Sequence, residues 1–112
     1  MSDIRERFDV VVVPFPFTDL PVARRRPALV ISGSGWNRAS GHIVCAMITV
    51  AKRSDWPLDT AIVDLAAAGL TRSCVVRMKL FTLDASLVVR RTGRLGAADS
   101  VGVSASLDAL ER

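Results

Sequence analysis

Asp9 to Phe17 reads DVVVVPFPF, four consecutive valines running into two prolines. β-Branched side chains crowd a helix and suit a pleated strand, and proline has no N–H to give to a sheet ladder. The run therefore predicts a strand that ends at or near Pro14. The same punctuation recurs along the chain. Arg26 to Ser32 (RPALVIS) predicts a second strand, and His42 to Val50 (HIVCAMITV) a third, apolar on nearly both sides and hence central in its sheet. The residues between them, 33–41 (GSGWNRASG), read as a flexible loop. Thr18 to Arg25 (with Pro21) and Ala51 to Leu58 (with Trp56-Pro57) read as two more loops. Thr60 to Leu65 (TAIVDL), Ser73 to Asp84 (SCVVRMKLFTLD) and Val88 to Leu95 (VVRRTGRL) predict further strands, the second long or bent and the third short.

The last segment, Ala97 to Leu110, reads as helix. Gly96 can cap it, Asp99 lies in the first turn where a carboxylate is favoured, and Val103, Leu107 and Leu110 fall on one face. Gly102 weakens that helix by roughly 1 kcal/mol relative to alanine. Many short strands followed by one terminal helix predict a mainly β fold, a small antiparallel barrel or strongly twisted sheet. With no repeat and no linker, residues 1–112 form a single domain large enough to bury a core unaided.

Composition removes several classes of function. Cys45 and Cys74 both sit in apolar stretches, which suits buried thiols in a reducing compartment better than a disulfide scaffold. One histidine and two cysteines, none closely spaced, do not supply zinc-ligand spacing, so neither metal nor cofactor is expected. The segment Met1 to Asp9 is charged and lacks a signal-peptide pattern. The longest apolar stretch, Ile43 to Ala51, is too short to span a bilayer. The expectation is a cytoplasmic protein without a membrane partner.

The net charge of +4 matters less than its distribution. Arg24, Arg25, Arg26, Arg38, Lys52 and Arg53 fall in a stretch with no acidic residue, and thirteen of the fifteen basic residues are arginine. Arginine is the side chain suited to forked phosphate contacts. An anionic partner, nucleic acid above all, explains this better than an idle basic surface.

Pairing the second and third strands about the 33–41 loop, with Ser32 facing His42, sets Arg26 across from Ile48 and within one residue of Thr49. The loops carrying Arg24, Arg25, Lys52, Arg53 and Trp56 arrive at the same edge. A single-residue slip in this register moves side chains to the other face. A guanidinium beside a hydroxyl, ringed by cations and an indole, suits a phosphodiester with a base stacked nearby. Trp56 either packs over the barrel or stacks on a base. Lys79 and Arg77 alternate on one strand face, where they either line a groove or guard an edge against aggregation. His42 is read as structural or exposed rather than catalytic. Trp36, Asn37 and Arg38 lead away from the Arg26/Thr49 edge, so a nucleic-acid contact there requires a second subunit.

Four segments, DVVVVPFPFTD (9–19), RPALVIS (26–32), MIT (47–49) and LFTLD (80–84), come in the order and spacing of the MazF/PemK family. The chain resembles these toxins of bacterial toxin–antitoxin pairs from about Phe8 to the final helix. The opening DVVVVPFPFTD combined with a downstream RRPALVIS carries the resemblance; each piece alone is weak. It implies an SH3-like barrel of the CcdB/MazF type and a homodimeric, metal-independent, sequence-selective endoribonuclease acting on single-stranded RNA. It also implies an antitoxin whose acidic segment lies over the RNA groove, with operator DNA reached only through that antitoxin. The family's catalytic pair falls on Arg26 and Thr49. Arg24, Arg25, Lys52, Arg53, Trp56 and Lys79 are the candidate RNA-binding residues. One departure is plain: the family commonly has glycine before the first Asp-Val, and this chain has Phe8. Phenylalanine reaches positive φ less cheaply than glycine, so the start of the first strand is expected to differ.

RNA can be cut by its own 2′-hydroxyl, leaving a 2′,3′-cyclic phosphate and a 5′-hydroxyl. Arg26 can grip two oxygens of the pentacoordinate phosphorus, and Thr49 can donate to the same group. Arginine, with a reference pKa above about 12, suits charge stabilisation first and general-acid work on the 5′-oxygen second. No residue is assigned as the base. Two other readings compete. One is a CcdB-like toxin acting on gyrase, although this chain ends LDALER without the aromatic tail of that group. The other is an inactive nucleic-acid-binding relative.

Overall fold

The valine run forms strand β1, Asp9–Pro14, in a computed structural model that describes residues 4–14, 24–51 and 55–112. On one side β1 pairs with β2, Arg25–Val30, and on the other with β6, Arg90–Arg94. β2 pairs with β3, His42–Val50, β3 with β5, Cys74–Asp84, and β5 with the short β4, Thr60–Ala61. Every pairing is antiparallel, and the order is β4-β5-β3-β2-β1-β6. The sheet curls into a half-barrel with the C-terminal helix packed by β4 and β5, a mainly β architecture. No helix among the described residues is long and apolar enough to cross a membrane.

Strand alternation divides the core in two. Val10, Leu29, Ala46, Ile48 and Val76 share one face with Ala68 of α2 (Leu65–Ala68) and Val103 of α3 (Ala97–Leu110). Val11, Val13, Ala28, Val30, Ile43, Cys45, Phe81 and Leu83 make the other. A fully buried Val, Leu or Ile contributes about 1.5–3 kcal/mol, and every valine of β1 except the half-buried Val12 is buried.

Four expectations change. Residues 33–41 are not a loop: Ser34–Ser40 form helix α1, closed by Gly41 at φ 69. Its buried Asn37 donates from Nδ2 to the Arg5 and Ser32 carbonyls at 2.9 and 3.2 Å. These are tertiary ties, which glycine and serine content conceals. The strand expected over Thr60 to Leu65 stops at Ala61. The Asp99 carboxylate accepts from the N–H groups of Val63 and Asp64, and Asp64 in turn caps α2, so the chain turns away from the sheet. Leu110 is exposed and does not join Val103 and Leu107 against the core.

Phe8 is the fourth. It adopts φ 75, so the left-handed conformation that glycine would supply is kept by phenylalanine. That costs roughly 1–2 kcal/mol. The Phe8 N–H donates to Val30 O at 2.7 Å, its carbonyl accepts from Leu95 at 3.0 Å, and its ring packs on the core. The substitution changes the strain at the start of β1, whose first residue is still Asp9.

Candidate functional site: a basic cavity where two strands part

β2 and β3 pair as Ala28↔Met47, Leu29↔Ala46 and Val30↔Cys45, one residue away from the register expected from the loop length. Ile31 N–H donates to Val44 O, so hydrogen-bonded positions on β2 are the odd ones. The next odd residue beyond Leu29 is Pro27, facing Ile48 with no N–H to give. The ladder ends there, the strands part, and a cavity of about 200 Å³ opens between them. Arg26, Pro27, Ile48, Thr49 and Val50 contribute to its wall from the strand ends. Continued past the break, the register sets Arg26 opposite Thr49, on the face that carries Ala28 and Met47. The residue slip that endangers such reasoning here improves the alignment of the pair.

The rest of the wall is Leu70, Thr71, Arg72 and Cys74, from the segment leading into β5. Among the described residues, no carboxylate lines the cavity. Arg72 was not singled out from the sequence, although it precedes an apolar strand as Arg26 does. Burial raises the Cys74 thiol pKa and nearby Arg72 lowers it, with burial the larger effect. Cys45 is deeper, and burial pushes its thiol up to about 12. Both thiols are free and buried. Arg24 and Arg25 are exposed at the start of β2, with Arg25 opposite Pro14 and on the face away from Arg26. Lys52 and Arg53 lie outside the described residues.

Trp56 stands over β5 rather than in the cavity. The Arg77 guanidinium carbon is 5.1 Å from its ring centroid and Lys79 Nζ is 5.9 Å away. Arg77 also donates to both oxygens of Asp59, Nε to Oδ1 at 3.2 Å and Nη2 to Oδ2 at 2.9 Å. That bond to Asp59 is the largest cause raising the Arg77 pKa. Asp59 went unremarked in the sequence. His42 begins β3 at the end away from Thr49, about 23 Å by strand rise, and its exposed ring bonds the Ser40 carbonyl at 2.9 Å. Trp36 and Arg38 belong to α1 at that same distant end.

Comparison with solved structures defines the class by its fold. MazF from Deinococcus radiodurans superposes with a TM-score of 0.75 at 20% identity, covering 97% of each chain. An endoribonuclease in complex with its cognate antitoxin, from a mycobacterial species, gives 0.73 at 17% identity over 96% of this chain and 93% of that one. The Mycobacterium tuberculosis toxin MazF-mt6 gives 0.71 at 19% identity, covering 90% and 93%. A comparison with curated protein sequences found no match. The family of PemK-like, MazF-like toxins of type II toxin–antitoxin systems matches residues 6–110. The chain belongs to that family.

Proposed function

We propose that this toxin is an endoribonuclease that cuts single-stranded RNA by attack of the 2′-hydroxyl on the adjacent phosphorus. The observation that carries this reading is the meeting of Arg26 and Thr49 at a cavity where β2 and β3 part. In the reaction the 2′-oxygen bonds to phosphorus and the P–O5′ bond breaks. The 2′-hydroxyl loses its proton and the departing 5′-oxygen gains one. Arg26 holds the two non-bridging oxygens as negative charge builds on them, and Thr49 donates a hydrogen bond to the same group. Arg26 is also assigned the general-acid work on the 5′-oxygen, and the 2′-hydroxyl proton passes to a base to which no residue is assigned. Arg24 and Arg25 at the mouth of β2 attract the RNA backbone, with Lys52 and Arg53 assigned the same work from the sequence.

The partners follow from the family and from the charge. An antitoxin with an acidic segment would cover this basic end, and the active species would be a homodimer. Purified protein incubated with a long mixed-sequence RNA tests the reading. Cleavage that survives EDTA, leaves 2′,3′-cyclic phosphate ends and disappears in Arg26→Ala and Thr49→Ala supports it. Intact RNA, or cleavage that is equal in the two variants and the parent, defeats it.

A further inference from the structure

Trp56, Pro57, Leu58 and Asp59 form a turn with proline in its second position and φ 65 at Leu58 in its third. That is the pattern of a type II turn, which asks for glycine or asparagine in the third position. Leucine there is strained, and such strain persists only where the surroundings impose it. Leu58 is itself exposed, so its own packing does not account for the conformation. What the turn achieves is to return the chain so that its first and last residues, Trp56 and Asp59, both reach Arg77.

The result is a small built assembly. Asp59 and Arg77 are each only 18% exposed in their side chains and share two hydrogen bonds. Arg77 and Lys79, two residues apart on β5, both approach the Trp56 ring, so the ring rests on the strand and its 41% exposure looks outward. Because Asp59 neutralises Arg77, the assembly presents an aromatic face more than a charge. Its position matters equally. Thr49 pairs with Val75 and Met47 with Arg77, so Arg77 lies about 7 Å along β5 from the level of Thr49 and on the same face.

We propose that the Trp56–Asp59 turn is a preformed stacking subsite for one nucleobase next to the linkage held at Arg26 and Thr49, with Asp59 as a positioning residue that fixes Arg77 beneath the ring. The subsite rests on the ribonuclease reading and supplies it with a base contact. The division of labour is chemical. Phosphate goes to the cavity with Arg26 and Arg72, and the base goes to the aromatic platform, where Asp59 neutralises Arg77. Stacking on an aromatic side chain tolerates any base, so this contact adds affinity and alignment without reading sequence.

The test uses the full chain with Trp36→Phe, which leaves Trp56 as the one tryptophan. A short single-stranded 2′-deoxy oligonucleotide of randomised sequence, which its own sugar cannot cleave, is titrated while anisotropy reports binding and emission reports Trp56. The expected result is quenching of Trp56 on binding and affinity lowered about five- to a hundredfold in Trp56→Ala. Trp56→Phe should keep most of the affinity. Asp59→Asn should lower the quench at saturation of the folded protein even where its melting temperature falls, and Asp59→Glu should restore the quench. Binding with no change in Trp56 emission and no loss in Trp56→Ala overturns the subsite and leaves the ribonuclease reading standing. Absence of any binding by the parent protein contradicts the nucleic-acid reading itself.

Discussion

Arginines crowd two regions of this molecule, and what the structure builds around them differs. Along the β1–β6 edge, Arg91 Nε donates to Asp9 Oδ1 at 3.1 Å, and Arg94 Nη1 reaches the same oxygen at 3.2 Å and Glu6 Oε2 at 3.1 Å. Asp9 is buried, and its second oxygen accepts the Glu6 N–H at 2.8 Å. Arg91 and Arg94 hold the N-terminal segment to the last strand. At the opposite end of β1, where β2 starts and β3 ends, Arg26 and Arg72 border a cavity whose wall includes no acid among the described residues. An arginine matched to a carboxylate across two strands is a brace; one at the wall of a cavity can meet a ligand that enters it. Arginine content alone does not distinguish the two.

Substitutions at the two regions should separate activity from stability. Arg26→Ala should slow RNA cleavage by about a hundred- to a thousandfold, the loss typical of removing one transition-state donor, with little change in melting temperature. Asp9→Ala should do the reverse. It removes the shared partner of two half-exposed arginines and strands an N–H, at a cost of about 1–3 kcal/mol, seen as a lowered denaturation midpoint with cleavage per folded molecule intact. Thr49→Val keeps the shape and removes one hydroxyl, so the cleavage rate should fall about ten- to a hundredfold without a shift in midpoint. Arg94→Ala is the mildest. Arg94 is 45% exposed and Asp9 keeps Arg91, so urea denaturation should register at most about 1 kcal/mol.

The sequence made some of this contrast visible. The limits of β3 follow from its long apolar run, and the start of α3 from Gly96 and the acidic Asp99 in its first turn. The Arg26/Thr49 meeting was also legible, since a strand, a loop and a strand fix a register to within a residue. The residue itself was not, because α1 occupies what glycine and serine present as loop, and helix and loop consume chain at different rates. Gly102 reads only as a weak point in a helix, yet a methyl there would come within 3.1 Å of Thr60 Cγ2, so its smallness lets α3 approach β4. Arg72 and Asp59 were hidden for another reason. Their significance depends on which carboxylates lie near them, a property of the folded surface and not of the neighbouring residues in the chain.

The shared service of Arg26 and Thr49 to one phosphate is open to a double-mutant cycle. Single-turnover cleavage of one RNA is measured for the parent, Arg26→Ala, Thr49→Ala and the double variant, with melting temperatures checked in parallel. Residues that act as a unit give losses that do not multiply. The double variant should be scarcely slower than Arg26→Ala alone. Losses that multiply fully, or parental cleavage by Arg26→Ala, would contradict a common target at the parting of β2 and β3.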